Sequence, residues 1–214
     1  MKLPEVRIQY AWLLANGPSK VLREKLAKPD EKEYTDDDYD RWTTKYRKAW
    51  QEHERKILTG MCTVLDLEFY MPVIDAGVAP WFIPTSDPLI LNFRTEPDQF
   101  VDTLTHELFH ILLTDNNILT IQNKPQGEIG LRERWQKMYG KGFSFKTIVH
   151  IPVHAGLKYV YLDVLDEPKR LERDLSDSAK WPDYKAAWDY VEAHDYKQIL
   201  KELKADYKKY GQTK

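Results

Sequence analysis

Cysteine is almost missing from this chain: Cys62 is the only one among 214 residues. One thiol cannot close an internal disulfide, so the fold has no such staple, and the composition suits a reducing compartment. Glycine (9) and proline (12) are also sparse, which excludes collagen-like and low-complexity chains and argues against extensive disorder. No apolar run approaches the roughly 18–20 residues of a membrane span. The best N-terminal stretch, Ile8 to Ala15, contains Gln9 and Tyr10. It lacks a small-residue cleavage pattern and does not read as a signal peptide. Neither sign of charge dominates, with 32 Lys and Arg against 34 Asp and Glu. That balance gives no support to a nucleic-acid-binding surface. What is left is a soluble, cytoplasmic, mainly helical protein, long enough to bury a core of its own.

The chain contains no internal repeat and no linker rich enough to separate two domains. One domain over 1–214 is the expectation, with helical extensions at the N-terminus (1–65) and the C-terminus (168–214). A basic helical piece is expected near Ser19–Lys28, then an acidic loop, then a helix over about 38–65 carrying a Trp42, Tyr46, Trp50 stripe that reads as core. Residues 68–93 break into short apolar runs between prolines and predict two or three strands. A helix follows from Thr95, a plausible N-cap with Pro97 in the first turn, to about Thr114. Residues 118–145 read as irregular, and a largely apolar helix is expected over Thr147–Leu165. Beyond it, Tyr184, Trp188 and Tyr190 read as packing residues.

The chemistry lies in His106-Glu107-Leu108-Phe109-His110. Histidines four apart share one helix face and can grip one metal ion. Glu107, one step round, is placed to take a proton from a water on that metal. The surrounding residues Leu104, Leu108, Phe109, Ile111, Leu112 and Leu113 are apolar. Titratable groups buried among them need partners, which a metal supplies.

With the strand-like Pro88–Phe93 before the motif and a helix after it, the sequence resembles the zincin metallopeptidases over roughly residues 68–166. The resemblance implies a zincin-like α+β fold, mainly helical with a small mixed sheet beside the motif helix. It also implies one Zn2+ per chain held by His106 and His110, Glu107 as general base, and a peptide or protein substrate. Leu113 and Asn116 stand where the metzincin pattern wants Gly and His, which excludes that form.

For the third ligand, His154 is preferred over its neighbour His150. The run His154-Ala155-Gly156-Leu157-Lys158-Tyr159 is similar to the third-ligand helix of the SprT-like zincins. A gluzincin-type acid is the other possibility, with Glu128 ahead of Glu167 and Glu172. His150 and His154 are an i, i+4 pair, so one can ligate while the other orients it. Asp102, four residues before His106, is a candidate acceptor for the spare ring N–H of that histidine. Thr103 and Thr105 are alternatives. Tyr159 and Tyr161 are candidate donors to an oxyanion. His53 and His194 read as solvated, and Cys62 as a small buried apolar residue. The rival reading is a metal-stabilised, catalytically weak binding or regulatory module. Residues 1–34 are a possible pro-segment. No nucleic-acid or membrane partner is expected, and oligomeric state is not legible.

Overall fold

In the computed structural model, residues 2–16, 35–80, 82–93, 96–122 and 131–210 are described. The expected basic helix near Ser19–Lys28, the cap at Thr95 and the candidate ligand Glu128 lie outside them. The chain divides into two compact units: Pro4–Glu54 with Met71–Glu107, and Met1–Leu3 with Arg55–Tyr70 and Leu108–Lys214. The architecture is mostly helical with a small mixed sheet, an α+β arrangement. No described helix is long and apolar enough to cross a membrane.

The first unit holds the sheet. Strand β1 (Glu5–Tyr10) is followed by a short helix, α1 (Trp12–Asn16), and by the first half of a long helix, α2 (Asp36–Leu65). Strands β2 (Val73–Ala79), β3 (Thr85–Ser86) and β4 (Leu89–Asn92) lead into the first turns of α3 (Pro97–Gln122). The sheet order is β1-β2-β4-β3, parallel except for β3 against β4. Residues 5–10 therefore form a strand, not part of a helical extension. The alternation is visible in the residues themselves: Val6 and Ile8 are buried while Glu5, Arg7 and Gln9 are exposed, the period of two that a half-buried strand requires.

An aromatic layer fills this unit's core. The Tyr46 and Phe100 rings stack with centroids 4.1 Å apart, and Phe93 meets Tyr39 and Trp42 edge-on at 5.5 Å each. Tyr46 and Trp50 are fully buried, as the stripe on α2 predicted. The Arg47 Nε donates to the Ile8 carbonyl at 2.7 Å, which ties α2 to β1.

The second unit is helical. It contains the rest of α2 and α3, then α4 (Leu131–Tyr139), α5 (Phe145–Tyr159), a π-helical turn (Val160–Val164), α6 (Pro168–Ser178), α7 (Pro182–Ala193) and α8 (Tyr196–Tyr210). Helix α5 is its centre and packs on α4, α7 and α8. Almost every residue from Thr147 to Leu157 is buried, which suits a helix apolar nearly all round. Its start is fixed by Ser144, whose hydroxyl accepts from the Thr147 N–H at 3.0 Å, an ordinary N-cap. Proline opens both α6 and α7, where its missing N–H goes unmissed.

Helix α3 runs to Gln122, past the expected stop at Asp115-Asn116-Asn117. Asn116 explains part of this: its side-chain amide donates to the Glu68 and Leu112 carbonyls at 2.9 and 2.8 Å. An asparagine spent on a tertiary contact no longer competes with its own helix backbone. Helix α4 lies where irregular chain was expected. It is fastened to α8 by a buried ion pair between Arg134 and Asp206, at 3.1 Å. The Tyr207 hydroxyl reaches the Leu113 carbonyl at 2.6 Å, so α8 also braces α3.

Helix α5 also meets α3, at a glycine. A methyl group on Gly156 would lie 2.5 Å from Cε1 of Phe109, and the Phe109 ring is itself fully buried. Gly156→Ala is therefore expected to lower the melting temperature. Overpacking costs about 1–3 kcal/mol, and the roughly 1 kcal/mol that alanine gains over glycine in a helix offsets only part of it. Thermal denaturation of the two proteins checks this; a variant as stable as its parent would mean that the Phe109 ring yields freely.

Candidate metal centre

Helix α3 carries Asp102, His106, Glu107 and His110 in consecutive turns. Helical geometry puts His106 and His110 on one face. The contact of Gly156 with Phe109 brings α5 against α3 next to His110. His150, two turns before Gly156, then meets His110 with ring centroids 4.9 Å apart and planes at 78°. His106, His110 and His150 each present one ring nitrogen, and these atoms lie within 4.8 Å of one another. That donor set suits a metal ion: three imidazoles at the separation of ligands sharing one centre.

The third member is thus His150. His154, preferred by sequence, is not in the group. It lies one turn further along α5, fully buried, with its ring stacked on Trp188 at 4.4 Å and 15°. Trp188 in turn donates from Nε1 to Asp174 at 3.3 Å, and Asp174 also accepts from the hydroxyls of Tyr161 and Ser178. Tyr161 is committed to that network and is not presented as an oxyanion donor. Glu167 is committed to Arg170 at 2.6 Å. Asp102 is buried one turn before His106. Cys62 is buried and free, and His194 is exposed.

The tautomer of His150 follows from its surroundings. Its Nδ1 lies 2.7 Å from the Lys146 carbonyl, which can only accept, so Nδ1 carries the proton. The lone pair is left on Nε2, the arrangement a ligating histidine needs. Burial holds the imidazoles neutral. It pushes His110 down to about 3, helped by the nearby His150, and His150 down to about 4. His154 is held well below the usual range by burial and by its two histidine neighbours. Glu107 is shifted the other way, up to about 7, with burial as the sole cause. A carboxyl desolvated with no cation to offset the cost prefers its proton.

Sequence reasoning missed Tyr184 as a site residue. Its ring lies 4.2 Å from His150, centroid to centroid. The spacing of Tyr184 and Trp188 marks a buried helix face but does not say what that face covers. Comparison of the chain with protein-family models, with characterised proteins and with solved structures gives no match in any of the three.

Two outcomes are expected. Elemental analysis of protein purified without an affinity tag should find about one metal ion per chain, lost in His106→Ala and His150→Ala and kept in His154→Phe. Loss in the His154 variant with retention in the His150 variant would reverse the ligand assignment.

The second outcome concerns acid. On unfolding at a pH between about 4.5 and 6.5, three imidazoles gain a proton while Glu107 loses one. The unfolded state therefore binds more protons, and the metal-free protein loses stability as pH falls through this window. Glu107 opposes that loss, since its raised pKa favours the fold most in acid. In Glu107→Gln the decline should be steeper by about 1 kcal/mol per pH unit. Denaturant titrations of both proteins with chelator at several pH values check the difference in slope.

Proposed function

We propose that this chain is a zinc-dependent hydrolase, and specifically a peptidase with a zincin-like core, acting in a reducing, cytoplasmic setting. One observation carries the reading: a third histidine, His150, buried on a separate helix, has its ring nitrogen beside those of His106 and His110. An H-E-x-x-H match alone fixes two donors; the third completes the set that a hydrolytic zinc site uses.

His106, His110 and His150 would hold the ion, which when bound polarises a carbonyl and makes water easier to deprotonate. An imidazole ligand binds uncharged, so the cation would keep its full charge. Glu107 is the nearest carboxyl in sequence, and burial raises its pKa to about 7. Glu107 would accept a proton from the attacking water and return it to the leaving amine. A nearby cation draws this pKa down, keeping Glu107 ionised and able to accept. The Lys146 carbonyl fixes the ring of His150, so its donor atom needs no reorganisation before binding.

Glu107→Gln preserves shape and removes the base. It is expected to keep one metal per chain and to lose about 10²–10⁴-fold in the rate of peptide hydrolysis. A peptide library read by mass spectrometry supplies the substrate, and the rate is then measured on the best peptide. Full activity in Glu107→Gln would sink the mechanism. A metal-loaded parent protein that cleaves no peptide would favour the binding-module reading.

A further inference from the structure

A ligating imidazole must be held in two respects: which nitrogen faces the ion, and how the ring plane is inclined. The Lys146 carbonyl settles the first for His150. The second is settled from another helix. Tyr184, in the first turn of α7, lays its ring against His150 at 4.2 Å with planes at 43°, and lies 6.0 Å from His154. The Lys146 ammonium sits 4.8 Å from the centroid of the Tyr184 ring, a cation–π distance. Lys146 thus grips His150 twice, through its own carbonyl and through the tyrosine it holds.

The first turn of α7 is also tied to the first turn of α5. Asp183, beside Tyr184, accepts from Ser144 Oγ at 2.5 Å and from Thr147 Oγ1 at 3.3 Å. Ser144 is the residue that caps α5. Any tilt of α7 would move Tyr184 and the α5 cap together, so the tyrosine keeps its place relative to His150. Half-buried, with one face on an imidazole and an ammonium beside it, this ring is more tightly specified than a packing residue at a helix start needs to be.

We propose that Tyr184 is a positioning residue for the third metal ligand, and that its ring, not its hydroxyl, sets the inclination of His150. The inference rests on the metal reading above. Groups that orient a ligand typically change metal affinity by 10–100-fold when lost.

The test compares Tyr184→Phe, which keeps the ring, with Tyr184→Leu, which removes it at similar bulk. Zinc affinity is measured by competition with a chromophoric chelator, and coordination geometry by the visible absorption of the cobalt(II)-loaded protein. Tyr184→Phe should bind zinc within about two-fold of the parent, with the same cobalt bands. Tyr184→Leu should bind about 10–100-fold more weakly, with altered bands. Lys146→Met, at an exposed side chain, should weaken binding at least about three-fold, and decides the matter if Tyr184→Leu does not fold. Equal affinity and spectra for parent and Tyr184→Leu would overturn the positioning role alone, as would unchanged binding in Lys146→Met. Tyr184→Phe as weak as Tyr184→Leu would also overturn it, by moving the role to the hydroxyl. A parent protein that binds neither metal would overturn the metal reading and the positioning role with it.

Discussion

The approach of α5 to α3 at Gly156 and Phe109 is the constraint on which the candidate centre depends. With a side chain at residue 156 the Phe109 ring would have to move, and His110 follows Phe109 directly in the chain. The same contact that closes the core of the helical unit therefore sets the distance between His110 and His150. Dense packing of this kind transmits small displacements without absorbing them.

That packing carries an electrostatic consequence. Helix α5 is buried on nearly every side, yet it carries two histidines. An imidazole in such a place stays neutral, because charging it would cost more than the surrounding apolar side chains can return. A ligating imidazole must be unprotonated, so burial and ligation pull in the same direction at His110 and His150. At Glu107 the two oppose each other. Burial favours the protonated carboxyl, while a neighbouring cation would favour the ionised one. Between Glu107 and His110, the carboxyl is thus the group whose state depends on whether the cation is present.

The motif and the strands around it were legible in the sequence because their signals are local. His106 to His110 sit within two helical turns, and the breaks at Pro72, Pro80, Pro84 and Pro88 delimit the strands within a few residues. Strand β1 was lost because its partner is distant: Val73 lies opposite Glu5, and a six-residue alternation beside a helical stretch carries little weight without that partner. Helix α4 was hidden by the glycines at 127, 130, 140 and 142, although its hold on α8 comes from Arg134 and Asp206. The end of α3 was misplaced because Asn116 reads as a helix stop until Glu68 is known to accept its side chain.

The choice between His150 and His154 shows where pattern reading ends. The two are four residues apart on one helix, are both buried and have similar neighbours in sequence. What separates them is what faces each ring. His154 has Trp188, whose indole is fastened through Asp174. His150 has His110 on one side, Tyr184 on another and the Lys146 carbonyl at Nδ1. Each of these partners comes from the packing of α3 and α7 on α5, or from the helix turn before His150. Ligand identity in such a pair is a property of tertiary contact, and the residues that decide it, Trp188 and Tyr184, look in the sequence like any two aromatics on a buried face. The carbonyl at Nδ1 and the tilted Tyr184 ring both act on His150, so its assignment rests on how the imidazole is held as well as on its distance from the other two.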